Sequence, residues 1–177
     1  MKIIYHDLCI RNAEGKDCEQ LAAWWNDGSI MAHAGFSNGL GTTAEEIKEQ
    51  IVNDSDDKKR RLMIEYQGTS IGEMSFYVYE GKKVEIGIKI CNSAFQGKGL
   101  GRVLLSMLIE KLFSTGYELV FLDTNLKNTR AQHVYELLGF KKLPYMRIHG
   151  KISWENYRPR LIMSSERLIF AMPNPIA

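Results

Sequence analysis

Sulfur chemistry is scarce in this chain. Three cysteines occur in 177 residues, Cys9, Cys18 and Cys91. Their odd number and the lack of a C-x-x-C pair leave no disulfide framework and no thiolate metal site, so reduced thiols are expected and a metal is not. No uninterrupted apolar stretch approaches membrane-spanning length. Met1-Lys2-Ile3-Ile4 runs into Tyr5-His6-Asp7 instead of a signal-peptide core, which gives the expectation of a cytoplasmic protein that does not engage a membrane. Internal repeats and low-complexity segments are missing. The net charge of +2 supplies no global field that would favour nucleic acid. What remains is a chain with 45% apolar residues, enough for one well-packed domain over 1–177 and too little for two.

The charge that is present is unevenly spread. Residues 1–57 hold eleven acids against four bases, a balance of −7, which leaves +9 for the remainder of a chain at +2. One account is a solvated acidic face on the first helices. The other is an acidic half that draws in a cationic amine and a basic half that receives an anionic ligand.

Gln96-Gly97-Lys98-Gly99-Leu100-Gly101 precedes an amphipathic helix-former and reads as an anion cradle. Glycines let the backbone approach a ligand closely, and a turn entering a helix leaves amides without intrahelical acceptors. Phosphate suits such a turn. A Walker loop is excluded because Lys98 is followed by Gly99 and no hydroxyl follows until Ser106. A dinucleotide fingerprint is excluded as well. Its last glycine would fall on Arg102, and Cys91-Asn92-Ser93-Ala94-Phe95-Gln96 separates the glycines from the preceding strand.

The spacing that does fit is Q-x-x-G-x-G at Gln96, Gly99 and Gly101, closed by Arg102. Further along, Asn128 to Phe140 fits N-x-x-A-x-x-x-Y-x-x-x-G-F. In this order and separation the two motifs resemble those of the GNAT superfamily of N-acetyltransferases, and the branch most similar contains ribosomal-protein N-terminal acetyltransferases and their small-amine relatives. The resemblance runs from about Arg11 to the last strand. It implies an α/β fold, a mixed β-sheet of about seven strands flanked by about four helices, with acetyl-CoA as cosubstrate.

The periodicities agree with that fold. Strands are expected at Leu8–Arg11, Leu62–Tyr66, Ser70–Tyr79, Val84–Ile90, Leu119–Leu122, Lys141–Ile148 and Arg160–Met172. Helices are expected from Asp17 to Trp25, from a capping box at Thr43-Ala44-Glu45-Glu46 to Asn53, behind the glycines, and from Thr129 to Leu138. Asn26 to Thr43, with four glycines among Met31, His33 and Phe36, is too irregular for one element and too apolar for a linker, so it reads as a functional loop.

Acetyl transfer from a thioester to an amine needs a neutral nucleophile, a seat for the developing oxyanion and an acid for the departing thiolate. The resemblance implies that backbone amides of Ile88, Lys89 and Ile90 meet the pantetheine arm and thioester. It further implies that Gln96, Gly97, Lys98, Gly99, Leu100, Gly101 and Arg102 cradle the pyrophosphate. Asn128 is expected on the pantetheine amide or as a helix cap, and Arg130 on phosphate or in solvent. Tyr135 is the expected general acid, the alternative being a ring packed on CoA. Glu85, eleven residues before Gln96 and beside Gly87, is the first candidate for the base, and Asp123 at the end of the next strand is the second.

His33 could line the acceptor site, His133 is expected to be exposed, and one of Trp24 and Trp25 should be core while the other borders the acceptor. Trp154, Tyr157, Arg158 and Arg160 suit a peptide groove or a homodimer contact. The expected acceptor is a primary amine, on a peptide N-terminus, a polyamine or an amino sugar. The rival is a catalytically idle acyl-CoA-binding module.

Overall fold

A computed structural model describes residues 1–143, 147–148, 151–152 and 167–175. An eight-stranded sheet runs through the molecule. Its strands are β1 (Lys2–Tyr5), β2 (Leu8–Asn12), β3 (Lys59–Tyr66), β4 (Thr69–Tyr79), β5 (Lys83–Ile90), β6 (Leu119–Asn125), β7 (Lys141–Lys142) and β10 (Arg167–Pro173), in the order β1-β2-β3-β4-β5-β6-β10-β7. Between β7 and β10 in sequence, β8 (Arg147–Ile148) and β9 (Lys151–Ile152) pair as a separate ribbon. Among the described residues five α-helices accompany the strands: α1 (Cys18–Asn26), α2 (Gly28–Met31), α3 (Ala44–Val52), α4 (Leu100–Ser114) and α5 (Thr129–Leu137). No described helix is long and apolar enough to cross a membrane.

Alternation along the strands assigns the two faces of the sheet. Leu8, Ile10, Leu62, Ile64, Met74, Phe76, Val84, Ile86, Val120 and Leu122 join α4 and α5 in one buried cluster. Leu104, Leu105, Leu108 and Leu112 bring the inward stripe of α4 to that cluster, as their spacing predicts. Truncating a fully buried leucine such as Leu108 to alanine costs about 2–5 kcal/mol. On the other face Met63 packs with Leu21 and Trp24 of α1 and Ile47 of α3. The capping box at the start of α3 is present, the Thr43 hydroxyl accepting from the Glu46 amide and the Glu46 carboxylate from the Thr43 amide. An ionic knot ties α1 to the sheet: Arg11 donates to both carboxylate oxygens of Asp17, at 2.7 and 2.8 Å, and to Glu65 at 2.7 Å.

Two elements depart from the sequence expectation. Lys2–Tyr5, left outside any element by the sequence, forms the edge strand β1 because His6 takes a left-handed turn, φ 50°, and lets Tyr5 pair with Leu8. The single strand expected over Lys141–Ile148 is instead two, β7 against β10 and β8 against β9. Residues 144–146, between them in sequence, lie outside the described residues. Trp154, Tyr157, Arg158 and Arg160 lie outside the described residues, as does the side chain of His33.

Candidate active site

The site begins with a break in the sheet. β5 and β6 run parallel and pair only at Lys83–Leu119, Val84–Val120 and Glu85–Phe121, after which they part while each remains paired on its other side. Residues 86–90 therefore offer an open edge. Its polarity follows from register: the Cys91 amide donates to the Ile71 carbonyl on β4, so by alternation Lys89 and Gly87 also turn their backbone groups to β4 while Ile88 and Ile90 turn theirs to the split. Of the three expected backbone donors, two face the opening and Lys89 contributes its side chain elsewhere. The Ile90 carbonyl is taken by Gln96 Nε2 at 2.8 Å, so Gln96 fixes the turn into the glycine loop.

At the end of that edge the amides of residues 97–101 have no acceptor among the described residues. Gly97 and Gly99 both hold φ 77°, a conformation that favours glycine, and open space surrounds the position where a Gly99 side chain would begin. Arg130, from the first turn of α5, brings a guanidinium nitrogen to 3.6 Å from where a Gly97 side chain would start, and Lys98 lies over the Phe95 ring. Arg102 is exposed at the start of α4. Donors and positive charge thus converge where the helix dipole also favours an anion.

The expected catalytic residues lie in three places. Glu85 sits at the vertex of the split, opposite Phe121, and its carboxylate accepts from the Tyr79 hydroxyl at 2.8 Å. Asp123 is on the departing part of β6, where continued pairing would have set it opposite Gly87. Both are on the α1/α3 face, since their strand neighbours Val84, Ile86 and Leu122 point into the α4 cluster. Tyr135 is on α5, its ring buried against Phe140 and Phe170. Asn128 caps α5 by accepting from the Ala131 amide at 3.1 Å, which leaves its NH2 group as a donor. His133 is exposed. Among the described residues no group of three His, Cys, Asp or Glu side chains could hold a metal ion.

The irregular segment after α1 lies over the α1/α3 face. Asn26 closes its neck with two hydrogen bonds to Thr42, at 2.8 and 3.0 Å, and Leu40 donates to the Trp25 carbonyl. Gly28 and Gly39 allow backbone approaches that any side chain would block, to Ser37 and Asn26. The segment contains α2 and a 3-10 turn at Ala32–Ala34 that comes against β6, while Phe36 and Leu40 are exposed. Trp24 is core, and Trp25 donates its indole N–H to Glu73 at 2.7 Å and stacks on Arg61.

Glu73 was not among the residues singled out by sequence. It is buried at mid-strand on β4 directly opposite Lys89, whose ammonium donates to the same carboxylate oxygen at 2.9 Å and touches Met31 Sδ at 3.2 Å. The available signal was an acid and a lysine at facing positions of one hairpin. Beside them the Cys91 thiol is buried, and burial together with the Glu73 charge pushes it up to about 12.

The sequence model of the acetyltransferase (GNAT) domain matches residues 7–141. The chain belongs to the GNAT acetyltransferase family. Over 79 residues this GNAT chain is 34% identical to the [ribosomal protein bS18]-alanine N-acetyltransferase of Salmonella typhimurium, a match that covers 45% of this chain and 48% of that enzyme. It thus spans about half the length of that relative. Among solved structures, the RimL ribosomal L7/L12 alpha-N-protein acetyltransferase in complex with coenzyme A superposes with a TM-score of 0.76 at 16% identity, covering 98% of each chain. The spermidine N-acetyltransferase of Vibrio cholerae, in complex with CoA and spermine, gives 0.75 at 20% identity over 96% of this chain and 97% of that one. Both have the GNAT fold described above.

Proposed function

We propose that this chain, acting as one domain, transfers the acetyl group of acetyl-CoA to a primary amine by direct attack in a ternary complex. The observation that carries the reading is the continuity of three ligand-sized features: the open edge at Ile88 and Ile90, the amides of residues 97–101 that have no acceptor among the described residues, and the Arg130 guanidinium beside Gly97. A pyrophosphate fits the amides and Arg130, and an amide-bearing arm fits the strand edge. Asn128 NH2 is the further donor for that arm, and Lys98 and Arg102 lie at the phosphate end.

In the reaction the neutral amine attacks the thioester carbonyl, the C–N bond forms and the C–S bond breaks. The Ile88 and Ile90 amides are the backbone donors available to the oxyanion. The amine proton goes to Glu85 at the vertex of the split, with Asp123 on the opposite wall as the other candidate. The Tyr135 hydroxyl supplies a proton to the departing thiolate.

The acceptor is a cationic amine with a small apolar contact, a peptide N-terminus first and a polyamine second. Support comes from the carboxylates on the α1/α3 face, the exposed Phe36 and Leu40, and the named activities of the relatives.

The test has two stages. Acetyl-CoA, ATP and NAD are compared for their effect on melting temperature, and thiol release is then screened against short peptides, polyamines and aminoglycosides. A ligand at a hundredfold over its dissociation constant adds about 2.7 kcal/mol, so acetyl-CoA should raise the melting temperature by several degrees. Preference for ATP or NAD overturns the reading. A shift without thiol release from any acceptor identifies an idle acyl-CoA-binding module.

A further inference from the structure

Glu73 has no role in the chemistry just described, yet it is a buried carboxylate in the middle of the sheet. Its oxygen Oε1 accepts from Trp25 Nε1 at 2.7 Å and from Lys89 Nζ at 2.9 Å, and Lys89 Nζ in turn meets Met31 Sδ. These four side chains come from separate places. Trp25 is in the last turn of α1, Met31 ends α2, Glu73 lies on β4, and Lys89 lies on β5 between the two residues whose amides face the split. The segment between Trp25 and Thr42 is itself closed at the neck by Asn26 and Thr42, and its Ala32–Ala34 turn reaches β6. It therefore crosses from α1 to the far wall of the split and is held underneath at one ionic point.

We infer that Trp25, Glu73 and Lys89 form a latch that fixes segment 26–42 over the split, making Glu73 a positioning residue for the acceptor amine. The inference rests on the proposed acetyl transfer for its kinetic consequence, but the latch is a property of the fold. Charge explains why a carboxylate is required. An ammonium and an indole N–H both need an acceptor at one buried spot, and a carboxylate satisfies both with charge-assisted bonds, whereas glutamine would leave the Lys89 charge unpaired. Because Lys89 points its side chain to the latch and its neighbours point their backbone to the split, the roof and the thioester edge are registered on one strand. Loosening the latch should therefore cost acceptor binding while leaving the glycine loop and the backbone edge intact.

The experiment uses the full chain with Glu73→Gln and Trp25→Phe, singly and together. Backbone hydrogen exchange is measured across 28–40, β4, β5 and α4. Alanine-initiated peptide and spermidine serve as amine probes, and acetyl-CoA affinity is measured separately. Each single variant should speed exchange in 28–40 by at least about tenfold while β4, β5 and α4 keep their protection. Acceptor KM should rise by about tenfold or more, the range expected for a lost charge-assisted hydrogen bond, with acetyl-CoA Kd unchanged. The double variant should exceed either single one, since Trp25→Phe removes the indole bond and Glu73→Gln the Lys89 ion pair, but by less than the sum of the two, because both bonds end on one carboxylate oxygen.

Unchanged exchange in 28–40 overturns the latch, and so does faster exchange spread through the sheet, which would mean general destabilisation. An unmoved acceptor KM with a probe that is turned over removes the acceptor role. Glu73→Gln that fails to fold leaves Trp25→Phe, which keeps an aromatic ring and deletes the N–H donor, to decide the same question. If wild type does not bind acetyl-CoA, the proposed reaction is wrong, and hydrogen exchange still decides the latch.

Discussion

The two sides of the split, one proposed for the cofactor and one for the acceptor, are built from different materials. On the side proposed for the cofactor the available groups are main-chain amides of residues 88, 90 and 97–101, held in place by strand register, by left-handed glycines and by one glutamine side chain. On the side proposed for the acceptor they are side chains, Trp25, Met31, Glu73, Lys89, Glu85 and Asp123, drawn from five elements. Backbone donors depend on where glycine stands and little on which other residue stands beside it. Side-chain constellations can change with each residue, so the second region is free to diverge while the first keeps its pattern.

The sharpest way to break this contrast is a glycine-loop variant. Gly99→Asp places a side chain at φ 77° and a negative charge among amides expected to hold phosphate, so the acetyl-CoA shift in melting temperature, about 2.7 kcal/mol at saturating ligand, should vanish. Retention of the shift would take the loop out of the site. Next in size is Tyr135→Phe, which should keep acetyl-CoA affinity and lower turnover by roughly ten to ten-thousandfold. Normal turnover would make Tyr135 a packing residue between Phe140 and Phe170 and nothing more.

A smaller effect separates the side chains from the backbone on the cofactor side itself. Arg130→Ala should weaken acetyl-CoA roughly tenfold, as loss of one charge-assisted phosphate contact does, and the loss should shrink at high salt. For the base, Glu85→Gln and Asp123→Asn are compared by the pH dependence of kcat/KM. The variant that loses the acidic limb identifies the base, and retention of the limb in both points to deprotonation through water.

The smallest effect lies away from the split, in the knot that sets α1 on the sheet. Burial pushes the Asp17 carboxyl up, but the bonds from Arg11 and from the Glu14 amide outweigh it, and the group titrates below its ordinary range. A depressed folded value means that the contribution is present above the unfolded value near 4 and is lost as pH falls through the folded one. Asp17→Asn should lower stability by about 1 kcal/mol at neutral pH and flatten the acid limb of the stability curve. An unchanged acid limb would show that the knot contributes no pH dependence.

How much of this could be read from the residues follows the same division. The glycine loop, the β5 alternation, the Thr43 capping box and the α4 stripe were legible because local spacing alone sets them. β1 escaped because its turn depends on a non-glycine residue, His6, in a left-handed conformation. The two-helix character of segment 26–42 was hidden by its glycines, which serve close backbone approaches to Ser37 and Asn26 as well as turns. Glu73 was missed for a different reason. A lone acid inside an alternating strand looks like an ordinary outward position until the register sets it against Lys89 and the fold brings Trp25 down on it.

Cys91 closes β5's approach to the glycine loop with a thiol whose proton is held to about pH 12. Each turnover of the proposed reaction would release a free coenzyme thiol along the same strand. Exchange between sulfur atoms proceeds through thiolates, and a thiol held this far above its ordinary value stays protonated at neutral pH. The buried acid Glu73 also adds to that protection, since its negative charge disfavours a second anion beside it. The same carboxylate would thus keep this end of the strand inert toward mixed disulfides with its own product and toward oxidants that need a thiolate to attack.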